Sequence, residues 1–311
     1  MKIVFFGTST FAVASLKAVA ASGHELLLVV TQPDKKKGRH LHLTPPPIKE
    51  IATGLNIPVY QPQDVSGAES IEKLKALNAD LFVVAAFGQL FKKEALAIPR
   101  KFAINLHASL LPKYRGAAPI NWAIINGEKK TGISVFRLEE KMDAGDIILN
   151  KEVDIKEEDN AVTLGEKLSE IGARVLVEAV DLIEKNKASF KKQDASLVSF
   201  APKLKKADGI LDWNQTAIQL HNRVRGLMSW PGAFTTFDGK TIKLLETKVI
   251  DANEKAGQPG EILKMEPGLG ILVKAGSGCL AIRRLQLEGS RPMQFEEFLR
   301  GHALKIGDIL G

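Results

Sequence analysis

Phe102-Ala103-Ile104-Asn105-Leu106-His107-Ala108-Ser109-Leu110-Leu111-Pro112 is the stretch on which the reading of this 311-residue chain turns. Phe102–Leu106 is an apolar run of strand length, and a proline-bearing turn follows it. Period-2 alternation puts Asn105 and His107 on one face of that strand. The same grammar repeats on either side. Upstream, Ile3–Phe6, Leu26–Val30, Val59-Tyr60 and Asp80–Ala86 read as strands, while Thr10–Ala20, Ile48–Leu55 and Glu69–Leu77 read as helices. Downstream, Pro119–Ile125 reads as helix, Gly132–Leu138 as strand and Ala161–Ile183 as a long amphipathic helix. Alternating strands and helices predict an α/β domain with a doubly wound, mostly parallel sheet covered on both faces. Such sheets build their sites at the carboxyl ends of the strands, which is where Asn105 and His107 stand.

The composition changes after the long helix. Between Lys185 and Lys206 there are seven lysines and one acid, Asp194, which reads as an exposed basic linker. A helical pattern at Asn214–Arg225 follows. Then come short apolar runs, Thr241–Val249, Glu261–Lys264, Gly270–Lys274 and Cys279–Gln286, separated by turn signals such as Asp238-Gly239 and Gln258-Pro259-Gly260. Closely spaced short strands predict a small β barrel or sandwich. The expected division is a catalytic domain over 1–188, a linker over 189–206 and a second domain over 207–311.

Composition excludes several classes. One cysteine, Cys279, rules out a disulfide framework or a Cys-rich metal or redox motif. No apolar run reaches the ~20 residues of a membrane-spanning helix, and Lys2–Gly7 is too short for a signal-peptide core. A cytoplasmic, soluble protein without a membrane partner is expected, acting as a monomer. Lys and Arg total 43 against 36 Asp and Glu, a net charge of +7 that suits a polyanionic partner.

Five clusters are candidates for chemistry. Gly7-Thr8-Ser9-Thr10-Phe11 joins the first strand to a helix. It lacks the glycine fingerprint of a dinucleotide site, because Ser9 and Ala12 fill the second and third positions; a tight turn capped by Thr or Ser is the expectation. Asn105 and His107 pair an amide donor with a titratable base. Ser109-Leu110-Leu111-Pro112-Lys113-Tyr114-Arg115-Gly116 is a shaped loop with two apolar residues for a ligand wall, and Lys113 and Arg115 can meet an anion. Asp143, in Met142-Asp143-Ala144-Gly145-Asp146, can orient an imidazole. Gln32–Pro47 is a long loop carrying Lys35, Lys36, Lys37, Arg39, His40 and His42, a set suited to phosphate. No carboxylate or cysteine cluster completes a metal site around those histidines.

The run from Asn105 to Ile120, taken with Met142–Asp146, closely resembles the methionyl-tRNA formyltransferases, a branch of the folate-dependent formyltransferases. Phe5-Phe6-Gly7-Thr8 followed by Phe11-Ala12, Thr31-Gln32-Pro33-Asp34 leading to Gly38-Arg39, and Trp230-Pro231-Gly232-Ala233 extend the resemblance over the whole chain. It implies formyl transfer from 10-formyltetrahydrofolate to the α-amino group of methionine on initiator tRNA. Asn105, His107 and Asp143 would be catalytic. Ser109, Leu110, Leu111 and Pro112 would line the folate site, with Phe87 and Gly88 nearby. Lys35 to Lys37, Arg39, His40 and His42 would contact the acceptor end of the tRNA. Lys203, Lys205 and Lys206 would extend a basic track towards a C-terminal barrel of OB-like type.

The residues suit that chemistry independently. Transfer of an acyl group to an amine passes through an oxyanion, which Asn105 can stabilise, and releases a proton, which His107 can manage. Neither a metal nor a covalent enzyme intermediate is required. Three alternatives remain open from sequence: a formyltransferase acting on a small amine, a non-catalytic RNA-binding module, and a nicotinamide dehydrogenase, the last lacking its glycines.

Overall fold

The computed structural model describes residues 1–37, 42–250, 257–302 and 304–311. The chain forms two compact units, one of Met1–Pro119, Lys130–Asp154 and Gly165–Ala201, the other of Ile120–Lys129, Ile155–Leu164 and Pro202–Gly311.

In the first unit the strands are β1 (Lys2–Gly7), β2 (Glu25–Val30), β3 (Lys35–Lys37), β4 (His42–Thr44), β5 (Val59–Tyr60), β6 (Leu81–Ala85), β7 (Phe102–His107), β8 (Arg115–Gly116), β9 (Lys130–Arg137), β10 (Ile147–Asp154) and β11 (Phe200–Ala201). The helices are α1 (Val13–Ala21), α2 (Pro47–Gly54), α3 (Ala68–Ala76) and α4 (Lys93–Leu96), followed by α5 (Pro119–Ile125) and the long α6 (Ala161–Glu184), both of which run across unit boundaries. Seven strands make one sheet in the order β10-β9-β7-β6-β1-β2-β5. β5, β2, β1, β6 and β7 are parallel, whereas β9 runs antiparallel to β7 and β10 antiparallel to β9. Chain order reverses at β1: it proceeds to β2 and β5 on one side and to β6 and β7 on the other. That switch point opens a crevice at the carboxyl ends of β1 and β6.

Burial explains the central strands. Every residue of β6 is buried, and so is all of β1 after Lys2, the continuous apolar pattern of strands covered on both faces. Phe6 packs against Phe82 at 4.9 Å, Phe91 at 5.1 Å and Phe87 at 5.6 Å between ring centres. Leu74 of α3, Ala95 of α4 and Ala103 of β7 belong to the same core. Leu106 faces the other way, and a side chain on Gly172 of α6 would meet it at 3.0 Å. Ala103, Asn105 and His107 therefore form one row, whose first member is core and whose last two reach the carboxyl edge.

Three expectations need correction, and one strand stands where no element was expected. Gln32–Pro47 is not a plain loop, because β3 and β4 pair as an antiparallel ribbon through Lys35 opposite Thr44 and Lys36 opposite Leu43. The first helix starts later than expected: a 3₁₀ turn covers Thr10–Ala12, and Ser9 occupies its N-cap position without a side-chain cap. Ile147–Asp154 is a strand. The basic stretch before residue 202 is no free linker, since Phe200 and Ala201 pair in parallel with Arg115 and Gly116.

The second unit holds α7 (Ala217–Gly226), β12 (Ala233–Phe237), β13 (Lys240–Ile250), β14 (Ile262–Glu266), β15 (Gly270–Lys274), β16 (Cys279–Leu287), β17 (Met293–Gln294) and α8 (Phe295–Gly301). Its antiparallel sheet runs β12-β13-β16-β15-β14, with β17 on β16. Backbone bonds from Ile262 to Asp308, from Leu310 to Gly260 and from Gly311 to Thr236 carry the C-terminal residues from the β14 edge to the β12 edge. That tail bridges the β14 and β12 edges and closes the sheet towards a barrel. Thr216 starts α7 by exchanging hydrogen bonds with Gln219 in a capping box. No helix among the described residues is long and apolar enough to cross a membrane.

Candidate active site

β7 delivers the two central side chains. Asn105 lies opposite Val84 on one side and Phe136 on the other, half-buried between them. His107 lies opposite Ser134 and is 6% exposed. Its Nε2 is 2.9 Å from the carbonyl oxygen of Tyr114. A carbonyl only accepts, so Nε2 carries a hydrogen and Nδ1 is the nitrogen left to take or release a proton. Nδ1 lies 3.7 Å from Oδ2 of Asp143. That is too long for a hydrogen bond, and it is within range of charge attraction whenever the imidazole carries a proton on both nitrogens.

Asp143 reaches His107 from the β9–β10 connection. Its backbone is left-handed, with φ of +48°, a conformation Asp adopts more readily than most residues. Its Oδ2 also accepts the Gly116 N–H at 2.8 Å, so the carboxylate ties His107 to the loop after β7.

That loop is fixed from three sides. The Ser109 hydroxyl donates to the Lys113 carbonyl at 2.6 Å. Ser134 of β9 donates to the Ser109 carbonyl at 2.7 Å and accepts the Leu111 N–H at 3.0 Å. Ser199 accepts the Tyr114 N–H on its hydroxyl, and its carbonyl accepts the Arg115 N–H, each at 2.9 Å. Leu111 packs against Phe136 and Ile147. Leu110 and Pro112 are half-buried, and the Leu111–Pro112 peptide is cis. Ser109 is fully buried, so its hydroxyl shapes the loop, while Leu110 and Pro112 keep surface for a ligand.

Across the crevice, the Phe87 ring is core and its carbonyl is the polar feature. The Thr8 hydroxyl donates to that carbonyl at 2.8 Å and the Gln32 amide at 3.0 Å. Gly88 has φ of +83°, and a Cβ there would sit 2.5 Å from the Gln32 amide nitrogen. Gln32 thereby couples the first turn and the Phe87-Gly88 turn to the basic ribbon. At the ribbon's foot, Asp34 accepts from the Gln61 amide at 2.7 Å and from Lys49 at 2.8 Å. Those partners, Gln61 first and then Lys49, hold its carboxyl below the usual carboxylate range.

Lys35 and Lys36 are exposed on β3, and Lys35 donates to Gln32. Lys37 pairs with His42 across the ribbon, and the His42 side chain is exposed. Arg39 and His40 lie outside the described residues. Lys203, Lys205 and Lys206 are exposed in the second unit. Asn105, His107, Asp143 and the 109–112 loop thus meet in one place.

Sequence reasoning misjudged Arg115 and missed Gln193. Arg115 is 6% exposed. Its Nε and Nη2 both donate to Oε1 of Gln193, at 3.1 and 2.7 Å, so it braces the fold and is not offered to an anion. Gln193 is separated by 78 residues in sequence from its partner, and no local pattern signals it.

His24, Asp181 and Glu184 bring metal-type ligand atoms within 4.8 Å of one another. They lie at the amino end of β2, the edge opposite His107. The Met1 ammonium already sits on Glu184 at 2.9 Å.

A buried imidazole between a carbonyl and a carboxylate, with an amide two residues earlier on the same face, defines a site for group transfer through an oxyanion. Comparison with known proteins narrows that class. A family model described as formyl transferase matches residues 1–180, and one described as formyl transferase, C-terminal domain, matches residues 203–303. The chain is 46% identical over 311 residues to the methionyl-tRNA formyltransferase of Bacillus subtilis (strain 168), covering 100% of this chain and 98% of that one. It is 45% identical to the protein of that name from Geobacter sulfurreducens, covering 100% and 97%. In fold it is similar to WlaRD, a sugar 3N-formyl transferase crystallised with dTDP and 5-N-formyl-THF, with a TM-score of 0.68 and 20% identity over 94% of this chain and 99% of that one. It is also similar to HypX from Aquifex aeolicus in complex with tetrahydrofolic acid, with a TM-score of 0.62 and 19% identity over 96% of this chain and 47% of that one. The chain belongs to the methionyl-tRNA formyltransferase family.

Proposed function

We propose that the protein transfers the formyl group of 10-formyltetrahydrofolate to the α-amino group of methionine carried by initiator tRNA, yielding N-formylmethionyl-tRNA and tetrahydrofolate. The observation that carries this reading is the convergence of Asn105, His107 and Asp143 at the carboxyl edge of β7. The family supports a folate-type donor and a charged-tRNA acceptor.

The chemistry follows from the geometry. The amine nitrogen forms a bond to the formyl carbon, and the formyl oxygen becomes an oxyanion. The Asn105 amide donates to it, a stabilisation worth about 100- to 1,000-fold in rate at comparable sites. The attacking nitrogen's proton passes to Nδ1 of His107, because Nε2 is committed to the Tyr114 carbonyl. Collapse of the intermediate breaks the bond from carbon to N10, and N10 leaves with the proton that His107 returns. Asp143 holds the imidazole and balances its transient charge. No step draws on a metal.

Leu110, Leu111 and Pro112 form the apolar wall proposed for the pterin, with the Phe87-Gly88 turn across the crevice; Ser109 shapes that wall from beneath. Lys35, Lys36, Lys37, Arg39, His40 and His42 are the proposed contacts to the tRNA end, joined by Lys203, Lys205 and Lys206 along its backbone. Functionally, residues 1–188 carry the transfer, 207–311 the RNA, and 189–206 both a brace for the site and the start of the basic track. The proposal is of a monomer acting in the cytoplasm.

Matched assays of charged initiator tRNA and free methionine test the acceptor. The reading requires transfer to the tRNA-borne amine alone; equal use of free methionine refutes it.

A further inference from the structure

We propose that Gln193 is a positioning residue for the transfer reaction, holding Asp143 against His107 from outside the motif that carries the chemistry. The inference rests on formyl transfer at this site. Gln193 commits every polar atom of its side chain to two elements. Its Nε2 donates to the carbonyl oxygens of Asp143 and Gly145, each at 2.8 Å. Its Oε1 accepts the Nε and Nη2 of Arg115 at 3.1 and 2.7 Å. One amide thus bolts the β9–β10 connection to the loop after β7.

The bolt matters because of what Asp143 is asked to do. Its backbone is left-handed at φ of +48°, and such a conformation persists only where its surroundings over-determine it. The two Gln193 bonds clamp the carbonyls on either side of Ala144. The Gly116 N–H then catches the carboxylate at 2.8 Å. Without the clamp the turn is free to relax to negative φ, and relaxation swings Oδ2 away from Nδ1 of His107.

Gln193 is itself rigidly placed. Lys191 exchanges backbone hydrogen bonds with Ile147 at 2.8 and 2.9 Å just before it, and the Ser199 contacts to Tyr114 and Arg115 lie just after it. Arg115 presents both nitrogens of its fork to one oxygen, geometry that lysine cannot reproduce. The lysines around Gln193 are exposed, while the glutamine points inward to the site.

Two variants separate positioning from mere stability. Gln193→Ala removes both links. Gln193→Glu keeps an acceptor for Arg115, now as an ion pair, and removes the donor to Asp143 and Gly145; it therefore preserves the brace even if the alanine variant folds poorly. Both are expected to lower kcat by about 10- to 100-fold, the scale set by a displacement of about 1 Å in a catalytic group. KM for the folate and for the charged tRNA should stay within about twofold, because the polar atoms of Gln193 are spent on Arg115, Asp143 and Gly145. In an Asp143→Ala background, Gln193→Glu should cost less than about twofold more, since residues acting through one another are not additive. Wild-type kcat in Gln193→Glu would overturn the inference. So would a loss that appears in KM alone, or one that multiplies in full with that of Asp143→Ala. If the unmodified enzyme transfers no formyl group to tRNA, the assigned function fails instead.

Discussion

Gly116 is where the architecture and the chemistry lean on one atom-sized space, and Gly116→Ala tests both. The residue has φ of +125°, and a Cβ there would lie 2.6 Å from the Ala201 carbonyl oxygen. A side chain in that backbone region costs about 1–3 kcal/mol, and forcing an extra methyl into a packed contact typically costs about 1–3 kcal/mol more. A mid-range loss of about 4 kcal/mol lowers Tm by roughly 8–16 °C in a domain of this size. The catalytic penalty is separate. Gly116 donates its N–H to Asp143 and pairs beside Arg115 with β11, so relief of the clash moves the partner of His107. A shift near 1 Å predicts a loss of about 100-fold in kcat. Thermal unfolding and formyl transfer under saturating substrates read the two effects. Gly54→Ala is the control, because Gly54 ends α2 with nothing within 4 Å of a new Cβ; it should be neutral or gain up to about 1 kcal/mol. If Gly116→Ala behaved like Gly54→Ala, the packing of β8 on β11 and the role given to Gly116 would both be wrong.

Other outcomes are open to measurement. His221 shares a hydrogen bond with Thr247 and is pushed down from 6.5 to about 4, first by burial and then by Arg225. The unfolded chain therefore takes up a proton between about pH 6.5 and 4 that the folded chain refuses, and stability falls as pH falls through that window, by at most about 3 kcal/mol; denaturant titrations of His221→Gln should show a flatter slope there. Thr216→Ala breaks a reciprocal cap on α7 and should cost about 1 kcal/mol by the same titrations. Replacing Lys35 and Lys36 together by alanine should raise KM for the tRNA and leave kcat nearly unchanged. It should also reduce the steepness of the salt dependence by roughly one unit for each phosphate no longer neutralised; a fall in kcat at constant KM would move those lysines into the catalytic role.

The parts of the fold legible in sequence were those with strong local periodicity. β1, β6 and β7 announce themselves because strands buried on both faces need apolar residues at nearly every position. Asn105, His107 and Asp143 were legible as types, and the strand-edge rule placed the first two. What escaped was set by backbone geometry or by distant partners. Ile147–Asp154 mixes Asn150, Lys151 and Glu152 into the strand at the end of the sheet, so no alternation marks it. Lys35–Lys37 has no apolar face and becomes a strand solely through its backbone pairing with His42–Thr44. Arg115 looks like an anion binder until Gln193 is seen beside it. Lysines suggested an exposed stretch before residue 202, and they are exposed, yet Gln193, Ser199 and Ala201 among them hold the segment after β7 through bonds that no window of sequence contains.

The most direct test of the account is a single-turnover measurement of formyl transfer from 10-formyltetrahydrofolate to methionyl initiator tRNA, with the unmodified enzyme and His107→Ala side by side. The account predicts N-formylmethionyl-tRNA from the unmodified enzyme and a rate lower by about 100-fold or more in the variant, at unchanged tRNA affinity. Equal rates from the two proteins would contradict it.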